Sequence, residues 1–200
     1  MEPMAKTKAW FENGQTFENA FVSTPVCCPS RSSLLTGRYQ HNTHVINNTV
    51  GGNCYGTKKN SFKKNFHCWV FTQIFLGADW TSPDGLESTS TFAAILHDNT
   101  NYETFYAGKY LNRYDATAVP RGWNQWAGLK GNSKYYNYDL NVNGVIEHHG
   151  ENYEEDYLTD VIGRFALKFL NNQTCEKPFF MMLGIIFKHK LTHKLKKKNY

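Results

Sequence analysis

Apolar and polar positions change period several times along the chain, and each change marks an element. Residues 4–11 read as the end of a helix that Gly14 stops. From 16 to 22 apolar and polar side chains alternate, which predicts a strand leading into Cys27. Thr91 can cap a helix whose Phe92, Ile95 and Leu96 share one face. Residues 102–110 read as a buried strand that runs into a Gly turn. Segments 135–140 and 145–149 flank Asn143-Gly144, a strong hairpin signal. Residues 157–170 form an amphipathic helix, with Leu158, Val161, Ile162, Phe165 and Phe169 at 3–4 spacing and Asp156, Thr159 and Asp160 about its start. Residues 177–183 complete the pattern as a buried strand. Strands alternating with helices in this way place the chain in the α/β class.

The densest cluster of unusual choices is Cys27-Cys28-Pro29-Ser30-Arg31, continued by Leu35-Thr36-Gly37. Pro29 suits a first helical position, residues 30–36 make two turns, and Gly37 fits the left-handed residue past the end. Cys27 then sits immediately before a helix N-terminus, where free N–H groups and the helix dipole favour an anion. Arg31 adds a planar, permanent positive charge one turn in. Two readings follow from the residues alone: a nucleophile beside an anion pocket, or a buried or disulfide-bonded cysteine pair.

Composition changes this picture little. Of 200 residues, 40% are hydrophobic and 16% aromatic, as in a globular chain. The formal charge of +5 is concentrated in Lys58, Lys59, Lys63 and Lys64 and in six lysines between Lys188 and Lys198. Outside these clusters the balance is acidic, so the charge does not indicate a nucleic-acid partner. The five cysteines have no Cys-x-x-Cys spacing, which supports neither a zinc ribbon nor a redox motif. The His148-His149 pair has no carboxylate at ligand spacing and reads as surface. Trp123 and Trp126 can form a sugar platform, although core packing is the simpler use. Asn47 and Asn172 head glycosylation sequons. Residues 1–9 are short, polar and charged, so no signal peptide is expected, and no apolar run is long enough to span a membrane. Residues 57–79 mix bases with Trp69, Phe71 and Phe75. Such a mixture can bind RNA or a membrane surface, but an inserted loop is the simpler reading.

Cys-x-Pro-Ser-Arg followed by Leu-Thr-Gly resembles the signature of the type I, formylglycine-dependent sulfatases. Tyr39, His41-Asn42-Thr43-His44-Val45 and Asn47-Asn48-Thr49 resemble the glucosamine-6-sulfatase branch of that family. The resemblance implies a sulfatase/alkaline-phosphatase-like α/β fold, a mixed sheet flanked by helices and here truncated at both ends. Residues 1–183 would form part of the catalytic domain, with 57–79 an atypical insertion and 184–200 a basic tail outside the family pattern. Cys27 would be oxidised to formylglycine by the formylglycine-generating enzyme, so that one hydroxyl of the hydrated aldehyde attacks sulfur and the other then expels sulfate. Arg31 and Lys109 would hold the aldehyde hydrate and the sulfate oxygens.

The family also binds calcium, through an Asp-Asp pair before the region covered here and an Asp-Asn pair after it, which leaves Cys27 as the one ligand in this chain. Leu111 stands where many members carry a histidine, as Lys-Tyr-Leu-Asn does in the glucosamine branch. After Leu183 the match stops, and His189 and His193 lack the surrounding motif of the family's later histidine. The implied substrate is 6-O-sulfated N-acetylglucosamine in heparan or keratan sulfate, and the implied compartment the lysosome. The alternative is a catalytically inactive truncated product or a sulfated-glycan-binding remnant. With the acidic pairs missing, inactivity of the 200-residue chain is expected.

Overall fold

The computed structural model describes residues 5, 9, 11–12, 14–15, 17–55, 80–81, 84–174 and 176–186. The expected insertion at 57–79, most of the helix end at 4–11, Cys68, Cys175, both lysine clusters, His189 and His193 lie outside these residues.

The central element is strand β1 (Glu103–Lys109). It pairs in parallel with β2 (Gln125–Leu129) on one side and β5 (Phe179–Gly184) on the other. The hairpin β3 (Tyr138–Val142) and β4 (Val145–His149) extends the sheet antiparallel from β2, giving the order β4-β3-β2-β1-β5. Parallel strands demand crossovers, and these bring helices onto the faces. The sheet is therefore mixed, as expected.

Alternation along β1 separates two cores. Phe105 and Ala107 face helix α6 (Leu158–Asn171), whose Leu158, Val161, Ile162, Ala166 and Phe169 are buried as the 3–4 spacing requires. Phe105 and Phe169 stack with ring centroids 4.8 Å apart. On the other face Tyr106 meets Tyr110, Trp123 and Trp126. Trp123 and Trp126 are thus core residues and not an exposed platform. Cys28 and Leu35 of α1 (Cys27–Thr36) and Ala93 of α4 (Phe92–Asn99) pack against the same aromatic layer. Short helices α2 (Gln40–Thr43), α3 (Leu86–Thr89) and α5 (Tyr153–Asp156) fill the connections.

At the hairpin both Asn143 (φ 50°) and Gly144 (φ 95°) adopt positive φ, as a two-residue primed turn requires. Gly108 has φ 107°, and a Cβ there would lie 2.5 Å from the carbonyl oxygen of Gly184. Only glycine allows β1 and β5 to approach so closely at the end that carries Lys109.

Several expectations need correction. Helix α1 begins at Cys27 with Val26 as N-cap, so Pro29 is its third residue. Proline is tolerated there because the first-turn N–H groups have no partner within the helix. Residues 17–22 form no strand: Phe17, Phe21 and Val22 are 79%, 87% and 65% exposed. Alternation without a neighbouring ladder does not make a strand. Thr91 does cap α4, its hydroxyl accepting from Ala94 N, but α4 buries Ala93 and Ala94 while Ile95 is exposed. Small side chains let that helix backbone rest against Gly122. Strand β5 is half-buried, because among the described residues it is paired on one side alone.

Candidate active site

Helix α1 presents Cys27 at its first position with the thiol free and exposed, and turns its neighbour inward. Cys28 is fully buried and disulfide-bonded to Cys54, with Cα atoms 5.5 Å apart. The side-chain oxygen of Asn48 accepts a 2.8 Å hydrogen bond from the Cys28 N–H. The buried, disulfide-bonded reading therefore holds for Cys28, while Cys27 is left free and exposed.

The same contact revises the anion pocket. Asn48 occupies the Cys28 N–H, Pro29 has none, and the Ser30 N–H donates to the Val26 carbonyl. The Cys27 N–H is the first-turn donor left over, so an anion here needs side-chain charge more than helix dipole.

That charge is present. Arg31 lies one turn below Cys27 on the same helix face, and its Nη1 donates a 2.7 Å hydrogen bond to the carbonyl of Lys109. The Tyr106 hydroxyl donates to the same carbonyl. Two donors on one oxygen fix the end of β1 against α1. The Lys109 residue is 5% exposed, and its ammonium donates to Asn132 Oδ1 at 3.1 Å and lies close enough to Cys27 to interact with it electrostatically. Asn112 Nδ2 donates to the same Asn132 oxygen at 3.3 Å. Burial lowers the pKa of Lys109 below 10.5, the Cys27 sulfur pulls it back up, and the nearby Arg31 charge pushes it down again. The structure thus brings Cys27, Arg31 and Lys109 together and adds Asn48, Asn132 and Tyr106 to the site. Nothing in the local sequence of Gly131-Asn132-Ser133 marks Asn132, which reads as an ordinary turn residue.

The donor set suits an anion. Calcium takes carboxylate and carbonyl oxygens, whereas the side chains reaching Cys27 are two cations. Among the described residues no group of three His, Cys, Asp or Glu can hold a metal. These residues do not fit a calcium ion. They do fit formylglycine formation, because the disulfide removes Cys28 and leaves Cys27 as a free thiol.

Elsewhere, His148 and His149 do have carboxylate partners, in space and not in sequence. His148 Nδ1 lies 2.9 Å from Asp139, and His149 Nδ1 3.5 Å from Asp156. Asn47 and Asn172 are exposed. Beyond Tyr110, Glu87 is enclosed by aromatics: Trp80 Nε1 donates to it at 3.1 Å and Tyr110 contacts it from the core. Burial raises its pKa to about 7, against the opposing hydrogen bonds from Trp80 and Tyr110. None of the described helices is long and apolar enough to cross a membrane.

The start of α1 and the end of β1 thus bring a free cysteine, an arginine and a lysine together at one end of a mixed α/β sheet. The chain belongs to the sulfatase family, whose model, described as Sulfatase, matches residues 1–198. It is 44% identical over 191 residues to N-acetylglucosamine-6-sulfatase of Bos taurus, covering 92% of this chain and 30% of that protein. A putative extracellular sulfatase Sulf-1 homolog of Caenorhabditis elegans is 37% identical over 188 residues, with 92% of this chain and 23% of that protein covered. The chain thus spans about 30% or less of the length of these relatives. A solved structure of a protein in complex with its substrate D-glucosamine-2-N,6-O-disulfate shares the fold. Its TM-score is 0.56 at 23% identity, covering 89% of this chain and 28% of that one.

Proposed function

We propose that this chain carries the nucleophile and anion-binding part of a sulfuric ester hydrolase that removes 6-O-sulfate from N-acetylglucosamine in heparan or keratan sulfate. The single observation that supports it is the buried Lys109 ammonium held beside the free Cys27. An ammonium removed from water is costly unless an anion meets it, and a sulfate oxygen supplies that charge.

Conversion of Cys27 to formylglycine by the formylglycine-generating enzyme supplies a nucleophile that a plain thiol does not. Around it, Lys109 binds a non-bridging sulfate oxygen and neutralises the charge that builds there. Asn132 keeps the ammonium aimed, by accepting one of its three protons. Arg31 keeps α1 registered on the end of β1, and its permanent positive charge favours an anion beside Cys27. The lysosome is the compartment proposed, with glycosylation at Asn47 and Asn172.

The test is binding and hydrolysis of N-acetylglucosamine 6-sulfate by protein co-expressed with the formylglycine-generating enzyme. Sulfate release abolished by Cys27→Ala and by Lys109→Ala supports the reading. Binding that depends on Lys109 without any sulfate release replaces it with a sulfated-glycan-binding role. Absence of both overturns it.

A further inference from the structure

A hollow lies beside α2, outside the group around Lys109. It is an open cleft of about 440 Å³ lined by Ser23, Thr24, Tyr39, Gln40, His41 and His44, among others. That volume lies in the range of small-molecule sites. Tyr39 is 65% exposed, and its ring lies parallel to that of His41, with 5.8 Å between centroids and 9° between planes. The short helix α2 sets this arrangement. Tyr39 caps it, and His44 ends it in the left-handed conformation with its N–H bonded to the Gln40 carbonyl.

The chemistry of the lining narrows the ligand. Among the described residues that line it there is no Asp, Glu, Lys or Arg, so neither a metal cation nor a sulfate group is the natural occupant. Exposed ring faces attract the weakly positive C–H groups of a pyranose. Around them, Ser23, Thr24, Gln40 and the imidazoles offer donors and acceptors suited to hydroxyls. The hydrogen bonds now made by Gln40 are long, 3.4 Å from Thr24 Oγ1 and 3.3 Å to the Ile46 carbonyl. Bonds of that length are readily exchanged for ligand hydroxyls.

The position links the cleft to Cys27. Thr24 precedes Cys27 by three residues, a span of at most about 11 Å. On the other wall, Ile46 is followed two residues later by Asn48, which caps α1 at Cys28. A short oligosaccharide can therefore reach from the cleft to Cys27.

We propose that this cleft is a saccharide subsite, which holds an unsulfated sugar residue next to the one whose ester meets Lys109. The inference rests on the sulfate-ester reading of the Cys27 site. The subsite rests on sugar stacking and the sulfate site on charge, so the two are separable. Calorimetric titration of the wild-type chain, Tyr39→Ala, His41→Ala and Lys109→Ala decides between them, with an unsulfated N-acetylheparosan tetrasaccharide and N-acetylglucosamine 6-sulfate as probes. Tyr39→Ala is expected to weaken the tetrasaccharide at least tenfold and leave the sulfated monosaccharide unchanged, with His41→Ala acting in the same direction. Lys109→Ala does the reverse. A wild-type chain that ignores the tetrasaccharide, or Tyr39→Ala and His41→Ala variants that both bind it normally, overturns the subsite. Tetrasaccharide binding that depends on Tyr39, with no binding of the sulfated monosaccharide, supports the subsite and overturns the sulfate site alone.

Discussion

Arg31 Nη1 donates a 2.7 Å hydrogen bond to the backbone carbonyl of Lys109, joining residues 78 positions apart. This bond ties the helix that carries Cys27 to the strand that carries Lys109. Both elements pack on the aromatic layer around Tyr106, and the bond fixes their functional ends against each other. Arg31→Ala should therefore damage both stability and the site. Hydrogen bonds to charged groups contribute about 1.5–3 kcal/mol, so urea denaturation should show a loss of about 2 kcal/mol. Arg31→Lys keeps the charge but lacks the planar fork, and should recover part of the anion affinity and little of the stability. Equal stability of all three proteins would show that the bond does not hold the two elements together.

Asn132 accepts from both Lys109 and Asn112, and is itself exposed. Asn132→Ala should leave the melting temperature within a degree or two of wild type, because no core is lost. Binding of N-acetylglucosamine 6-sulfate should weaken about tenfold, the equivalent of one hydrogen bond of about 1.4 kcal/mol. Asn132→Asp should weaken it further, since a carboxylate there occupies the ammonium in place of sulfate. A variant with Asp that binds sulfate more tightly than the one with Ala would show that Asn132 does not aim Lys109.

The residues alone put Lys109 at a strand's C-terminal edge, where α/β sheets place ligand groups, but a solvated loop lysine is the commoner use there, and only the family resemblance singled it out. Helix α6 and the Asn143-Gly144 hairpin were legible because period and turn chemistry are local. Asn132 was not, because its role depends on a contact across 23 residues between the end of β1 and a turn. Glu87 was not, because its enclosure is assembled from Trp80, Tyr110 and Tyr114, which are separate in sequence. The exposed alternation at 17–22 and the exposed Ile95 show the converse. A local pattern names a possible face, and the rest of the chain decides whether anything packs against it.

Glu87 carries the clearest pH prediction. Its pKa is raised from 4.5 to about 7, first by burial, with Trp80 and Tyr110 opposing and Asp115 adding to the rise. The phenols of Tyr55, Tyr110 and Tyr114 face the same space and have pKa values pushed well above 10, so they stay neutral while Glu87 titrates. The folded state then holds a proton that the unfolded state releases above pH 4.5. The stabilising contribution is complete below about pH 4.5 and disappears as pH rises through 7. At 1.36 kcal/mol per pH unit the loss approaches about 3 kcal/mol. Wild-type protein should melt at a higher temperature at pH 5 than at pH 8, and Glu87→Gln should flatten that difference. A wild-type melting temperature that climbs from pH 5 to pH 8 by the same amount in both proteins would exclude Glu87 as the cause.

Cys27, and not Cys28, should be the modified cysteine, for two independent reasons. Only Cys27 has proline and arginine at the offsets of the signature, Pro29 and Arg31. Of these two cysteines, Cys27 is the one with a free, exposed thiol, because Cys28 is buried and bonded to Cys54. Peptide mapping by mass spectrometry after co-expression with the formylglycine-generating enzyme should find the aldehyde at Cys27 and a disulfide-linked peptide pair containing Cys28 and Cys54. Replacing both Cys28 and Cys54 by Ala opens a loop of 26 residues and should cost about 3–4 kcal/mol. The Asn48 hydrogen bond to the Cys28 N–H is a backbone contact and survives that change, so the helix start should persist in the double variant. Conversion of Cys27 should then continue at a reduced protein yield. An aldehyde found at position 28 in the wild type, or no conversion at position 27 when the enzyme is present in excess, would remove the chemical basis for reading Cys27 as the nucleophile.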